Sequence, residues 1–124
     1  MDTRTKILSP AEAESLRARA ARLKAVTGYF DPLLAAHARR LAELKQPGET
    51  LLVVVTEPEH PLLAAAARAE LAAALAVVDC VMLAGADLPR LLETLRPDEL
   101  IREEAADERR KQELADLVRR RQAL

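Results

Sequence analysis

The chemistry-bearing residues of this chain gather in one stretch, Gly28-Tyr29-Phe30-Asp31-Pro32-Leu33-Leu34-Ala35-Ala36-His37, directly behind the apolar run Leu23-Lys24-Ala25-Val26-Thr27. A glycine turn that leaves a strand and opens a helix presents unpaired backbone N–H groups and the positive end of a helix dipole, and both favour phosphate. An imidazole, His37, follows six residues after Asp31. The same residues also have structural uses. Gly28 can supply a positive φ at the turn, Asp31 ahead of Pro32 can cap the helix, and His37 can share a helix face with Leu34 and Leu41.

These residues need a sheet to hold them. Leu51 to Val55 are five apolar residues without polar alternation, the pattern of a strand buried on both faces of a parallel sheet. Around them the spacing predicts a helix from the capping sequence Ser9-Pro10-Ala11-Glu12 to about Leu23 and a short strand over 24–28. A helix opened by Asp31-Pro32 and closed by Lys45-Gln46-Pro47-Gly48 comes next. Beyond Leu51–Val55 the pattern gives a helix from His60-Pro61 to Ala76, a strand over 77–83, a helix over 87–95, a last strand over 99–102 and a charged closing helix over 103–124. Alternating strands and helices with buried strands predict an α/β fold: a three-layer, Rossmann-like, doubly wound parallel sheet. No linker divides residues 1–124, so one domain is expected, with 1–22 as an N-terminal helix region and 103–124 as a C-terminal helix.

Half of the 124 residues are apolar, yet Tyr29 and Phe30 are the only aromatic ones, so the core must be built from Leu, Val and Ala. The formal net charge of −1 supplies no field for nucleic acid or an anionic membrane surface. The closing helix carries six acids and six bases, with Asp107 four residues before Lys111 and Asp116 four before Arg120, which reads as a solvated face with a narrow stripe of Leu114, Leu117 and Val118. That stripe docks either on this chain's own sheet or on a second copy, and a homodimer is the expectation. The lone Cys80 excludes an internal disulfide and lies in a buried-strand pattern. No apolar run approaches the roughly 20 residues of a membrane span and no secretory leader is visible, so a cytoplasmic setting is expected.

The order of segments and the turn Gly28-x-Phe30-Asp31, followed six residues later by His37, resemble the cytidylyltransferase-like branch of the nucleotidyltransferase superfamily, which includes glycerol-3-phosphate cytidylyltransferase and the adenylyl-transferring domain of ADP-heptose synthase. The resemblance runs from about residue 23 to residue 102. It implies attack of a substrate phosphate or hydroxyl on the α-phosphate of a nucleoside triphosphate, CTP or ATP, with Mg²⁺ and release of pyrophosphate. It implies a nucleotide site at Gly28, Tyr29, Phe30, Asp31, Leu34, Ala36, His37 and Arg102, with His37 as the catalytic imidazole and no resident metal. The family motif has two histidines separated by two residues, the second of those being glycine. Here Leu34 stands at the first histidine and Ala36 at the glycine.

Two further phosphate elements depart from the family pattern. The loop after the buried strand is Thr56-Glu57-Pro58-Glu59-His60-Pro61, and the segment after the last strand is Arg102-Glu103-Glu104-Ala105-Ala106-Asp107, whose carboxylates would repel a triphosphate. Losing one donor at a charge-stabilising site costs on the order of 10²–10³-fold in rate. The expectation is therefore a degenerate nucleotidyltransferase-like domain without efficient catalysis, used as a nucleotide-binding or protein-interaction module. The alternative is an active enzyme that transfers CMP or AMP to a phosphorylated sugar or alcohol, with His37, His60 and a base such as Lys24 or Arg102 in a rearranged site.

Overall fold

The computed structural model describes residues 2–122. Five parallel strands form one sheet: β1 (Ile7–Leu8), β2 (Leu23–Gly28), β3 (Thr50–Val55), β4 (Cys80–Leu83) and β5 (Glu99–Arg102), in the order β1-β4-β3-β2-β5. Helices α1 (Ala13–Arg19), α2 (Ala35–Leu44), α3 (Ala65–Ala73), α4 (Leu88–Leu95) and α5 (Glu104–Gln122) complete the chain. From β2 the chain winds outward through β3 to β4, then crosses back to lay β5 on the far side of β2. That reversal makes the fold doubly wound and leaves a crevice beyond the C-terminal ends of β2 and β5, where open α/β sheets take their ligands.

The period-2 alternation of strand side chains sorts the core into two layers. Leu23, Ala25, Leu52, Val54, Cys80 and Met82 pack with Ala13 and Leu16 of α1 and Leu91 and Leu95 of α4. Val26, Leu51, Val53, Val55 and Val81 face the other way, onto Leu41 of α2 and Ala69, Ala72 and Ala73 of α3. Both faces being covered explains the unbroken apolar run of β3, each buried Leu or Val contributing roughly 1.5–3 kcal/mol. With so few aromatics, the alanines of α3 let that helix lie close to the sheet.

Strand β5 matches the expected residues 99–102, and β3 begins one residue earlier than its apolar run. The remaining boundaries move for identifiable reasons. Residues 10–12 form a 3₁₀ turn whose entry the Ser9 N–H secures by donating to Glu12 Oε2 at 3.1 Å, and α1 ends at Arg19. Leu23, expected to close that helix, opens β2 because its N–H donates to Asp98 Oδ2 at 2.7 Å. Helix α2 starts at Ala35 and not at Asp31-Pro32, a peptide bond that is cis, and α3 starts at Ala65 and not at His60. The turn after α3 runs through Val77, and Val78 and Asp79 precede β4 as irregular backbone, with Asp79 Oδ2 accepting the Leu51 N–H at 2.7 Å. The two-residue strand β1, paired with Val81 and Met82, is too short to show any periodicity in the sequence.

On α5, Leu114, Leu117 and Val118 are 37%, 41% and 46% exposed, so the stripe does not dock on this chain's sheet. The expected charge ladder is also rearranged. Asp107 turns inward, Lys111 donates to the His60 carbonyl at 3.3 Å, and Asp116 pairs with Arg119. Among the described residues no helix is long and apolar enough to cross a membrane.

Candidate functional site

The turn after β2 does not use Gly28 as the sequence suggested. The positive φ falls at Phe30, at 48°, whereas Gly28 is required for room: a Cβ there would lie 2.7 Å from Asp107 Oδ2 and 2.8 Å from the Phe30 ring. Asp31 does not cap α2. Its carboxylate reaches across to the loop after β3 and accepts the N–H groups of Leu62 and Leu63 at 2.6 and 2.8 Å. Leu34, extended at φ −107° and ψ 165°, occupies the N-cap of α2 instead.

His37 is buried, its ring tilted against Phe30 with centroids 5.5 Å apart. Nδ1 accepts the Leu34 N–H at 2.9 Å, which places the ring proton on Nε2, and Nε2 donates to Asp107 Oδ1 at 2.7 Å. Both nitrogens are thereby committed inside the protein. Asp107 Oδ2 accepts the Tyr29 N–H at 2.7 Å and the Phe30 N–H at 3.3 Å, and Oδ1 also receives Arg110 Nη1 at 3.2 Å. The space left among Tyr29, Leu34, His37 and Asp107 is about 10 Å³, the size of a single water.

The other acids of the first turn of α5 are engaged in the same crevice. Glu104 accepts the hydroxyls of Thr27 at 2.8 Å and Thr56 at 3.1 Å, bridging the ends of β2 and β3, while Glu103 accepts Arg40 Nε at 2.6 Å. Burial together with Glu104, Glu108 and Asp107 raises the Tyr29 hydroxyl above its ordinary range, so it stays protonated at neutral pH.

Beneath the loops lies Arg68, fully buried, which the sequence reading passed over as part of an alanine-rich helix. Its guanidinium donates to the carbonyls of Leu63 at 3.1 Å, Tyr29 at 3.1 Å and Thr56 at 2.8 Å, and to Glu57 Oε1 at 2.6 Å. One planar fork thus ties the turn after β2 to the loop after β3. An arginine among alanines on a face that must pack on a sheet was the available signal.

The remaining candidates are dispersed. Ala36 sits half-buried in the first turn of α2, and His60 is an exposed loop residue. Lys24 lies four residues before Gly28 on β2, about 13 Å from the turn at the strand rise, and is buried with Glu49 at 3.0 Å and Glu99 at 2.9 Å. Burial works against its charge, but the hydrogen bonds to Glu99 and Glu49 outweigh it and raise the ammonium above its ordinary value. Lys24 therefore takes no part in this crevice. Arg102 ends β5, exposed on the rim of an open groove of about 600 Å³ that runs past Tyr29, Thr56, Glu57 and Gly85. Cys80 is a core thiol that burial, with Asp79 nearby, pushes up to about 11, which makes it inert as a nucleophile. Among the described residues no three His, Cys, Asp or Glu side chains converge as metal ligands.

The doubly wound parallel sheet and the relatives that the chain is similar to together support a nucleotidyltransferase-like module. The chain is similar to two bifunctional proteins HldE. The one from Magnetococcus marinus is 39% identical over 104 residues, covering 75% of this chain and 21% of that protein. The one from Geotalea uraniireducens is 34% identical over 96 residues, covering 69% of this chain and 20% of that protein. The chain thus spans about a fifth of the length of these curated relatives. No protein-family model matches it.

Proposed function

We propose that this chain is a nucleotidyltransferase-like module that keeps the fold and has lost efficient catalysis. The observation that carries this reading is the double commitment of His37, with one nitrogen accepting the Leu34 N–H and the other donating to Asp107. A phosphate in transit needs a donor with a free proton, and this imidazole has none to offer without breaking a buried pair. Leu34 supplies no second imidazole, and Ala36 puts a methyl group where the family motif has glycine. The Asp107 carboxylate, seated on the turn donors themselves, adds negative charge where a triphosphate would need the opposite.

The open groove beside Arg102 favours retained nucleotide binding over a pure protein-interaction role. It is of the size ligand sites usually have, and its cation is exposed on the rim. Mg²⁺ would enter there with a triphosphate, whose phosphates supply part of its octahedral oxygen set while water and a lining carboxylate, Glu57 or Glu104, would supply the rest. The test is pyrophosphate release from CTP and ATP with Mg²⁺ and a panel of phosphorylated sugars and alcohols, run beside a thermal-shift series with the same nucleotides. The reading expects no turnover above background and a nucleotide-dependent shift that Arg102→Ala removes. Turnover at ordinary enzymatic rates that His37→Ala abolishes would instead establish the active transferase of CMP or AMP.

A further inference from the structure

Three donors beyond the end of β2 converge on one carboxylate, two on its Oδ2 and one on its Oδ1. The backbone N–H groups of Tyr29 and Phe30 are turned to the same side, both donating to one oxygen, Asp107 Oδ2, and two successive N–H groups so aimed make an anion-binding concavity. The third donor, His37 Nε2, is fixed as an N–H by the Leu34 backbone, independently of anything on α5. The glycine at position 28 leaves the space in which the anion's oxygen sits. What fills the concavity is the chain's own carboxylate, Asp107, with both oxygens used and the side chain only 4% exposed.

Asp107 does not act alone. Glu103, Glu104 and Asp107 share the start of α5, where the helix dipole favours acids, and all three turn into the crevice onto Arg40, Thr27 and Thr56, and the turn donors respectively. The Glu103 N–H is itself anchored on the Thr27 carbonyl at 2.8 Å, so the helix leaves the sheet already aimed at the turn.

We propose that the Gly28–Phe30 turn with His37 is a preformed oxyanion seat, that Asp107 is its built-in ligand, and that the first turn of α5 is an autoinhibitory plug which a phosphate-type anion must displace. This goes beyond the loss of catalysis proposed above and stands without it. An active enzyme could be gated by the plug, and an inactive one could have an open seat.

The experiment titrates inorganic phosphate into the ¹⁵N-labelled full chain and follows the Tyr29 and Phe30 amides and the His37 ring nitrogens. In the wild-type protein these signals stay put at millimolar phosphate. In Asp107→Asn, which keeps an acceptor oxygen but no charge, and in Asp107→Ala, they move saturably, with phosphate affinity about 10- to 100-fold higher, as expected when a minor open state becomes the main one. Glu104→Gln, which loosens the first turn of α5 without touching the seat, gives an intermediate gain. Movement of the three seat signals in the wild type with the affinity of Asp107→Asn would overturn the plug. Folded Asp107→Asn and Glu104→Gln proteins whose seat signals ignore phosphate would overturn the seat.

Discussion

Arg68→Met removes a buried cation while keeping most of its apolar length. The carbonyls of Tyr29, Thr56 and Leu63 then lose their donor in a place water reaches poorly, and Glu57 loses its partner. An orphaned buried acceptor costs about 1–3 kcal/mol. Three such acceptors, with overlapping losses, cost about 3–5 kcal/mol in total, while Glu57, half exposed, is rehydrated and adds little. Against a domain stability of about 5–15 kcal/mol, that is a large fraction. A chain of this size loses roughly 3–5 °C per kcal/mol, so the melting temperature should fall by about 10–20 °C. Urea unfolding followed by circular dichroism should show the midpoint falling by about 2 M with an unchanged slope. Arg68→Lys should recover less than half of the loss, since a point charge cannot reach acceptors on three sides. A loss under about 1 kcal/mol with the slope unchanged would mean that the carbonyls find water or each other, and that the fork is not what ties the two loops together.

Gly28→Ala forces a methyl group against Asp107 Oδ2 and the Phe30 ring, so a loss of about 1–3 kcal/mol and faster hydrogen exchange of the Tyr29 N–H are expected; normal exchange there would refute the close-approach reading. Asp98 is held below the usual carboxylate range by the Leu23 N–H, against the opposing effect of burial, and by Arg17. Because its folded value lies below its unfolded one, its contribution is complete above about pH 4 and is lost as pH falls through the folded value. The gap in urea midpoint between the wild type and Asp98→Asn should therefore be wide at neutral pH and close in acid, and a constant gap would remove this role.

The apolar run of β3, the strand-and-helix alternation and the G-x-F-D turn determined the fold class and located the crevice, because burial on both faces of a sheet and helix periodicity are written locally. What the acids after β5 do was not legible in the same way. Read along the chain, Asp107 is an exposed partner for Lys111; folded, it is the anion that seats on a turn 77 residues away. Likewise Asp31 reads as a cap for the helix it precedes but serves the loop before α3, and Arg68, unremarked among the alanines of its helix, closes three carbonyls. Lys24, a candidate base by composition, is carried to the opposite end of β2 by the strand itself. Hydrogen-bond partners are chosen by proximity in space, and that proximity exists only once β5 has crossed back beside β2 and brought α5 to the crevice.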